Sequence, residues 1–165
     1  MNLKEVKIRR VKKKDITILV EYRLNYLEEI QGKRDKIYQK KLQNELMKYF
    51  TKAIAENRFI AFMAEAEGKP VGFGGMVIKE IPGDFNKSSY LEGDILNMYT
   101  VPEARRQGIS SLILKKLLQE AKEMGISKVA LHTTKEGEKG YRARGFSEPE
   151  YPYLELELNS EIFSH

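Results

Sequence analysis

Cysteine is absent from the chain, and histidine occurs only at His132 and His165. The first absence removes disulfides, thiolate catalysis and Cys-ligated metal from consideration. The second leaves no pair of ligands at a useful spacing, so no metal is expected. No apolar run approaches the ~18 residues of a membrane span. Met1-Asn2-Leu3-Lys4-Glu5 lacks the apolar region of a signal peptide, so a cytoplasmic location with no membrane partner is expected. Repeats, low-complexity stretches and linkers are missing as well. The 165 residues are therefore expected to form one domain, 1–165. A domain of that size buries about 70% of its unfolded surface, enough for one sizeable core.

What is present is ordinary in amount and uneven in placement. Hydrophobic residues make up 41% and charged residues 32%, which suits a globular chain and is too apolar for a disordered one. The net charge is +5. Residues 103–145 hold ten Lys/Arg against five Asp/Glu, while the rest of the chain holds nineteen of each. A local excess of base suits an anionic ligand, either a polyphosphate cofactor or nucleic acid. A solvated basic surface is the plainer alternative.

Hydrophobic periodicity divides the chain into elements. Val6–Val11 alternates as a short strand, and Asp15 opens a helix carrying Ile16, Val20, Leu24 and Leu27, which Gly32 ends. A second helix spans about 35–56. Phe59–Glu65 and Val71–Ile81 read as a hairpin about Glu67-Gly68-Lys69-Pro70, with Gly72, Gly74 and Gly75 marking a bulge or a close approach. Tyr90–Val101 is a long strand, Ile109–Met124 a helix stopped by Gly125, Lys128–Thr133 a strand, Glu138–Arg144 a short helix, and Tyr153–Leu158 a final strand. The order predicts an α/β chain with a mostly antiparallel meander followed by one βαβ unit.

Between the long strand and the long helix lies Arg105-Arg106-Gln107-Gly108-Ile109-Ser110-Ser111. The first N–H groups of a helix have no internal partner and carry partial positive charge. Two arginines and a glycine at that end make a phosphate site. The spacing matches neither the Walker pattern nor the dinucleotide fingerprint.

This segment resembles the Gln/Arg-x-x-Gly-x-Gly/Ala signature of the GNAT family of N-acetyltransferases, with Ser110 where the family usually has Gly or Ala. Val101-Pro102-Glu103 is similar to the family's lead-in. Downstream, Tyr141-Arg142-Ala143-Arg144-Gly145-Phe146 resembles its Tyr-x-x-x-Gly-Phe. The resemblance implies a mixed, mostly antiparallel central sheet flanked by helices. It also implies transfer of the acetyl group of acetyl-CoA to an amine by direct attack. By the same resemblance the turn Arg105, Arg106, Gln107, Gly108, Ile109, Ser110 and Ser111 wraps the cofactor pyrophosphate. Met98, Tyr99 and Thr100 would pair with the cofactor through main chain, and Tyr141 would be the general acid. A phenol is protonated at neutral pH and can donate; the alternative is a packing tyrosine.

The general base is less defined. Asp94 lies an even number of residues before Met98 and Thr100, which places all three on one face of a regular strand. Some family members have a carboxylate on this strand, and an ion pair is the equal alternative. Glu92 shares that face, while Asn97 is expected to point the other way. His132 reads more readily as a satisfied strand residue than as a base. Tyr22, Arg23 and Tyr26 are candidate acceptor-site residues, and Arg23 could orient an acceptor carboxylate. Two rival readings stand: a GNAT-fold coenzyme A binder without catalysis, and a basic nucleic-acid-binding module. The second rests on the basic half, a pI near 9.2 and nine tyrosines, but shows no binding motif. Oligomeric state stays open, although the family's final strands often support homodimers.

Overall fold

The apolar run that opens on Phe59 folds back on the next through Glu67-Gly68, pairing Ala66 with Lys69 across a two-residue turn. A computed structural model describes residues 5–158 and builds the rest of the sheet around this hairpin. The strands are β1 (Lys7–Arg10), β2 (Phe59–Ala66), β3 (Lys69–Pro82), β4 (Ser89–Thr100) and β5 (Ile126–Ala130). They lie in the order β1-β2-β3-β4-β5, antiparallel except for the parallel pair β4–β5. Helices α1 (Ile16–Gln31) and α2 (Lys36–Ala55) follow β1, α3 (Ile109–Glu123) joins β4 to β5, and α4 (Lys135–Ala143) comes last. This is the mixed, mostly antiparallel α/β architecture expected. The chain divides into two compact units, one ending at Leu131 and one beginning at His132.

Within the first unit the sheet separates two apolar layers. On one face, Ile16, Leu19 and Val20 of α1 and Phe50 and Ala53 of α2 pack on Phe59, Ala61, Met63 and Phe73. On the other, Ile109, Ile113, Leu114, Leu117 and Ala121 of α3 are buried. The run Gly72-Phe73-Gly74-Gly75 explains how α3 sits so close. A Cβ on Gly74 would stand 2.5 Å from both Ile113 Cγ2 and Met98 Sδ. At the first helix, Arg9 ties β1 to the buried Asp15 (2.8 and 2.9 Å) and to Glu65 of β2.

β4 departs from regularity at one point. Gly75 pairs with Leu96 and Phe73 with Tyr99, so Asn97 and Met98 together face Gly74. The extra residue is a bulge, and Asn97 takes φ 59° there. Strand partners share a face, so the bulge reverses the parity. Thr100, opposite Gly72, and Met98, against Gly74, lie on the α3 face. Asp94, opposite Val77, and Tyr99, opposite Phe73, lie on the α1 face. The expectation that Asp94, Met98 and Thr100 share a face is thus corrected, and so is the opposite orientation of Asn97. The β4–β5 ladder stops at Asp94 with Ala130. Beyond it the β5-side edge of β4 has no strand partner among the described residues.

In the second unit, Thr134 caps α4 by accepting from the Gly137 N–H at 3.2 Å. No strand forms at Tyr153–Leu158, contrary to expectation, and Tyr153, Leu154, Leu156 and Leu158 are exposed. Alternation says which side chains would share a face, but a strand exists only beside a partner that completes its ladder. β5 likewise ends at Ala130, short of the predicted Thr133.

Candidate active site

The turn after β4 is a short 3₁₀ segment (Pro102–Ala104), after which Arg106 and Gly108 both take left-handed φ, 61° and 80°. Gly108 is the N-cap of α3 and offers no side chain to its first turn. The first helical donation to it is Leu112 N–H to Gly108 O at 3.2 Å. None of the N–H groups from Arg106 to Ser111 donates to a backbone carbonyl among the described residues. A Cβ at Gly108 would meet nothing of the chain within 4 Å, so the space before this helix end is open. Unpaired donors, the positive helix end and open space are what a phosphate requires.

The side chains of the motif divide by role. Arg106 is exposed, and Ser110 Oγ lies 3.2 Å from Thr100 Oγ1, linking α3 to the strand. Ser111 is half-buried, and Gln107 Nε2 donates to Glu103 O at 3.4 Å. Ile109 is core, 2% exposed. Arg105, though exposed, reaches back across the turn: Nε donates to Thr100 O at 2.8 Å, and Nη2 reaches both oxygens of Glu29 on α1 at 2.7 and 2.9 Å. Its guanidinium lies 5.6 Å from the centre of the Tyr99 ring. Arg105 therefore braces the turn against α1. Glu29, its partner, was invisible to sequence reading because nothing local links two residues so far apart in the chain.

On the α1 face, Tyr99 stacks edgewise on Tyr22 at 5.5 Å, and its hydroxyl donates to Glu29 at 3.4 Å. Burial, then the Glu29 carboxylate, pushes the Tyr99 phenol above its ordinary value. Tyr22 donates to Pro70 O at 2.7 Å, and burial raises its phenol too. Tyr22 is thus a core contact. A cleft of about 380 Å³ lined by Asn25, Glu28, Glu29 and Tyr99 opens beside them. A larger one of about 520 Å³ lies between α1 and α2, away from β4.

Arg23 is half-buried, donates to Asn97 Oδ1, and sits 5.8 Å from the Tyr26 ring centre. Burial lowers its guanidinium below the ordinary arginine value. Asn97 is itself buried. Its sequence signal was an asparagine in mid-strand, a residue type that tolerates left-handed φ. Asp94 pairs with Lys79 at 3.0 Å and Glu92 with Lys128 at 3.2 Å.

Tyr141 stands in the second unit, three residues before the C-cap of α4. Phe146 N–H donates to Tyr141 O at 3.2 Å and Gly145 N–H to Arg142 O at 3.0 Å, with Gly145 at φ 97°. This pair of bonds is a Schellman motif, and its usual apolar contact is Tyr141 against Phe146, ring centres 5.7 Å apart. The Tyr-x-x-x-Gly-Phe spacing is therefore a helix stop that fixes the Tyr141 ring. His132 begins this unit and is exposed.

Comparisons with known proteins bear on the fold and the family. A predicted acetyltransferase from Clostridium acetobutylicum, solved with acetyl-CoA, superposes with a TM-score of 0.79 and 30% identity, over 97% of this chain and 99% of that one. A GCN5-related N-acetyltransferase from Ralstonia eutropha shares the fold at TM-score 0.72 and 22% identity, over 92% and 98% of the two chains. An uncharacterized N-acetyltransferase of Archaeoglobus fulgidus is 29% identical over 145 residues, 86% of this chain and 88% of that one. The profile of the Acetyltransferase (GNAT) family matches residues 24–146. That span takes in both motifs and every strand after the first, and the chain belongs to this acetyltransferase family.

Proposed function

We propose that the protein transfers the acetyl group of acetyl-CoA to the nitrogen of an amine. The observation that carries this reading is the row of N–H groups from Arg106 to Ser111, free of backbone acceptors and open to solvent before Gly108. These groups and the positive end of α3 fit a pyrophosphate, and Arg106 adds a full positive charge. Arg105 acts indirectly, holding the turn to α1 through Glu29. Beyond Asp94 the β5-side edge of β4 has no strand partner among the described residues, and main-chain groups of the segment Met98, Tyr99 and Thr100 are the proposed partners of an extended, amide-bearing ligand, with Thr100 O already accepting from Arg105 Nε.

Bound there, acetyl-CoA would supply the thioester that the amine attacks. The amine must be neutral to attack, and Asp94 is the proposed acceptor of its proton, directly or through water. A carbon–nitrogen bond forms as the carbon–sulfur bond breaks. The Tyr141 phenol is the proposed donor to the departing sulfur, and its packing on Phe146 sets the ring orientation.

Thermal unfolding with and without acetyl-CoA tests the cofactor site, with coenzyme A and ATP as controls. At 100 times its Kd, acetyl-CoA should add about 2.7 kcal/mol, or ~5–10 °C for a chain of this size. A shift with both coenzyme A species and none with ATP is expected. No shift with any of them refutes the reading.

A further inference from the structure

Cations stand along the α1 side of β4. Lys79 is paired with Asp94 at 3.0 Å, and Arg105 with Glu29 at 2.7 Å. Among the described residues, Arg23 meets the neutral amide oxygen of Asn97 and the face of Tyr26. Among the described residues no carboxylate lies within ion-pair distance of it. A guanidinium carries five N–H donors, and this one is half-buried. Withdrawing a cation from water without a counter-ion is unfavourable, and an apolar side chain would pack there at less cost. The position keeps a charge that no described carboxylate pairs with at ion-pair distance.

Resting on the acetyl-transfer reading, we propose that the acceptor is an amine that also bears a carboxylate, and that Arg23 binds this carboxylate. The planar fork of a guanidinium matches a carboxylate with two parallel hydrogen bonds. The charge balance selects the same partner. Lys79 is held by Asp94 and Arg105 by Glu29, so Arg23 carries one positive charge with no carboxylate at ion-pair distance among the described residues. A carboxylate cancels it, whereas a phosphate monoester of about −1.5 to −2 exceeds it. Position agrees too. Asn97 is the bulge residue, and its contact to Arg23 lies on the face that carries Asp94. A small amino acid held by its carboxylate at Arg23 would present its amine on the side of the proposed base. Asn97 is a positioning residue that holds the guanidinium.

The test follows thiol release from acetyl-CoA with matched acceptors, each amino acid beside its decarboxylated amine, such as histidine with histamine and lysine with cadaverine. Phosphoethanolamine is the phosphate-bearing control. For at least one pair, kcat/KM for the acid should exceed that for the amine by about 10- to 100-fold. Arg23→Gln should raise KM for that acid by about tenfold or more, and Arg23→Lys should recover part of the loss. The acetyl-CoA thermal shift should persist in both variants. Asn97→Gly keeps the left-handed backbone and removes the amide, and should also raise KM for the acid. Preference for decarboxylated amines or for phosphoethanolamine overturns the carboxylate assignment, as does unchanged KM in Arg23→Gln. Turnover of none of the acids, despite a thermal shift with acetyl-CoA, overturns it while leaving the cofactor site standing. Absence of the shift in the unaltered protein defeats the acetyl-transfer reading itself, and this inference with it.

Discussion

Gly108 and Gly125 bracket α3 with nearly the same backbone, φ 80° and 74°, and neither would place a Cβ within 4 Å of the chain. Alanine at either position meets a left-handed penalty of about 1–2 kcal/mol. Only Gly108 adjoins the proposed pyrophosphate site. Gly108→Ala should therefore weaken acetyl-CoA binding by about tenfold, while Gly125→Ala lowers the unfolding temperature alike and leaves affinity unchanged; calorimetric titration of both variants separates the two effects. Tyr141→Phe keeps the ring contact to Phe146 and removes the hydroxyl. Its kcat should fall by about 10²-fold or more, with the acetyl-CoA thermal shift intact; an unchanged kcat would leave Tyr141 as a helix-stop residue alone. The sequence pattern pointed to both residues, though it could not show that the tyrosine motif is also a Schellman stop.

Element packing rests on close approach as much as on apolar periodicity. α3 lies over Gly72 and Gly74, and Gly74→Ala would push a methyl group into Ile113 and Met98. Overpacking of this kind costs about 1–3 kcal/mol, so a urea midpoint lowered to that extent is expected, with the denaturant slope unchanged. The glycine cluster was legible as a close approach, and the α3 stripe as its partner. The bulge was not. Strict alternation along β4 predicts one face for Asp94, Met98 and Thr100, and the two residues opposite Gly74 reverse that order. A bulge answers to register with a neighbouring strand, which no window along one strand contains. The lost strand at 153–158 has the same cause.

For the molecule as a whole, charge governs two expectations. Phosphate binding at an exposed helix end is screened by salt, with a Debye length of about 10 Å at 0.1 M and 3 Å at 1 M. Affinity for acetyl-CoA, measured by titration at rising ionic strength, should fall accordingly. Stability against acid centres on Asp15, whose carboxyl the hydrogen bonds from Arg9 hold below the ordinary value, against an opposing effect of burial. A depressed carboxylate stabilises the fold fully above its unfolded pKa near 3.9, and this contribution is lost as pH falls through the lower folded value. Unfolding midpoints followed from pH 6 to pH 2.5 should drop below about pH 4, and less steeply in Asp15→Asn. At neutral pH, Asp15→Ala should cost about 2 kcal/mol, because Arg9 is partly solvated and keeps Glu65 as a partner.

Local chemistry settled much of this protein in advance. Periodicity and turn residues placed nine of its elements, since helix and strand differ in the spacing of buried positions within one segment. Glycine after an extended strand and before an amphipathic helix marked the proposed phosphate turn, because helix ends expose unpaired N–H groups wherever they occur. Long-range placement was another matter. That Arg105 turns to Glu29, that Asn97 joins Arg23, and that Asp94 pairs with Lys79 depend on which segments meet. Charges and amides take partners according to distance in space, and chain folding sets that distance across separations that no sequence pattern spans.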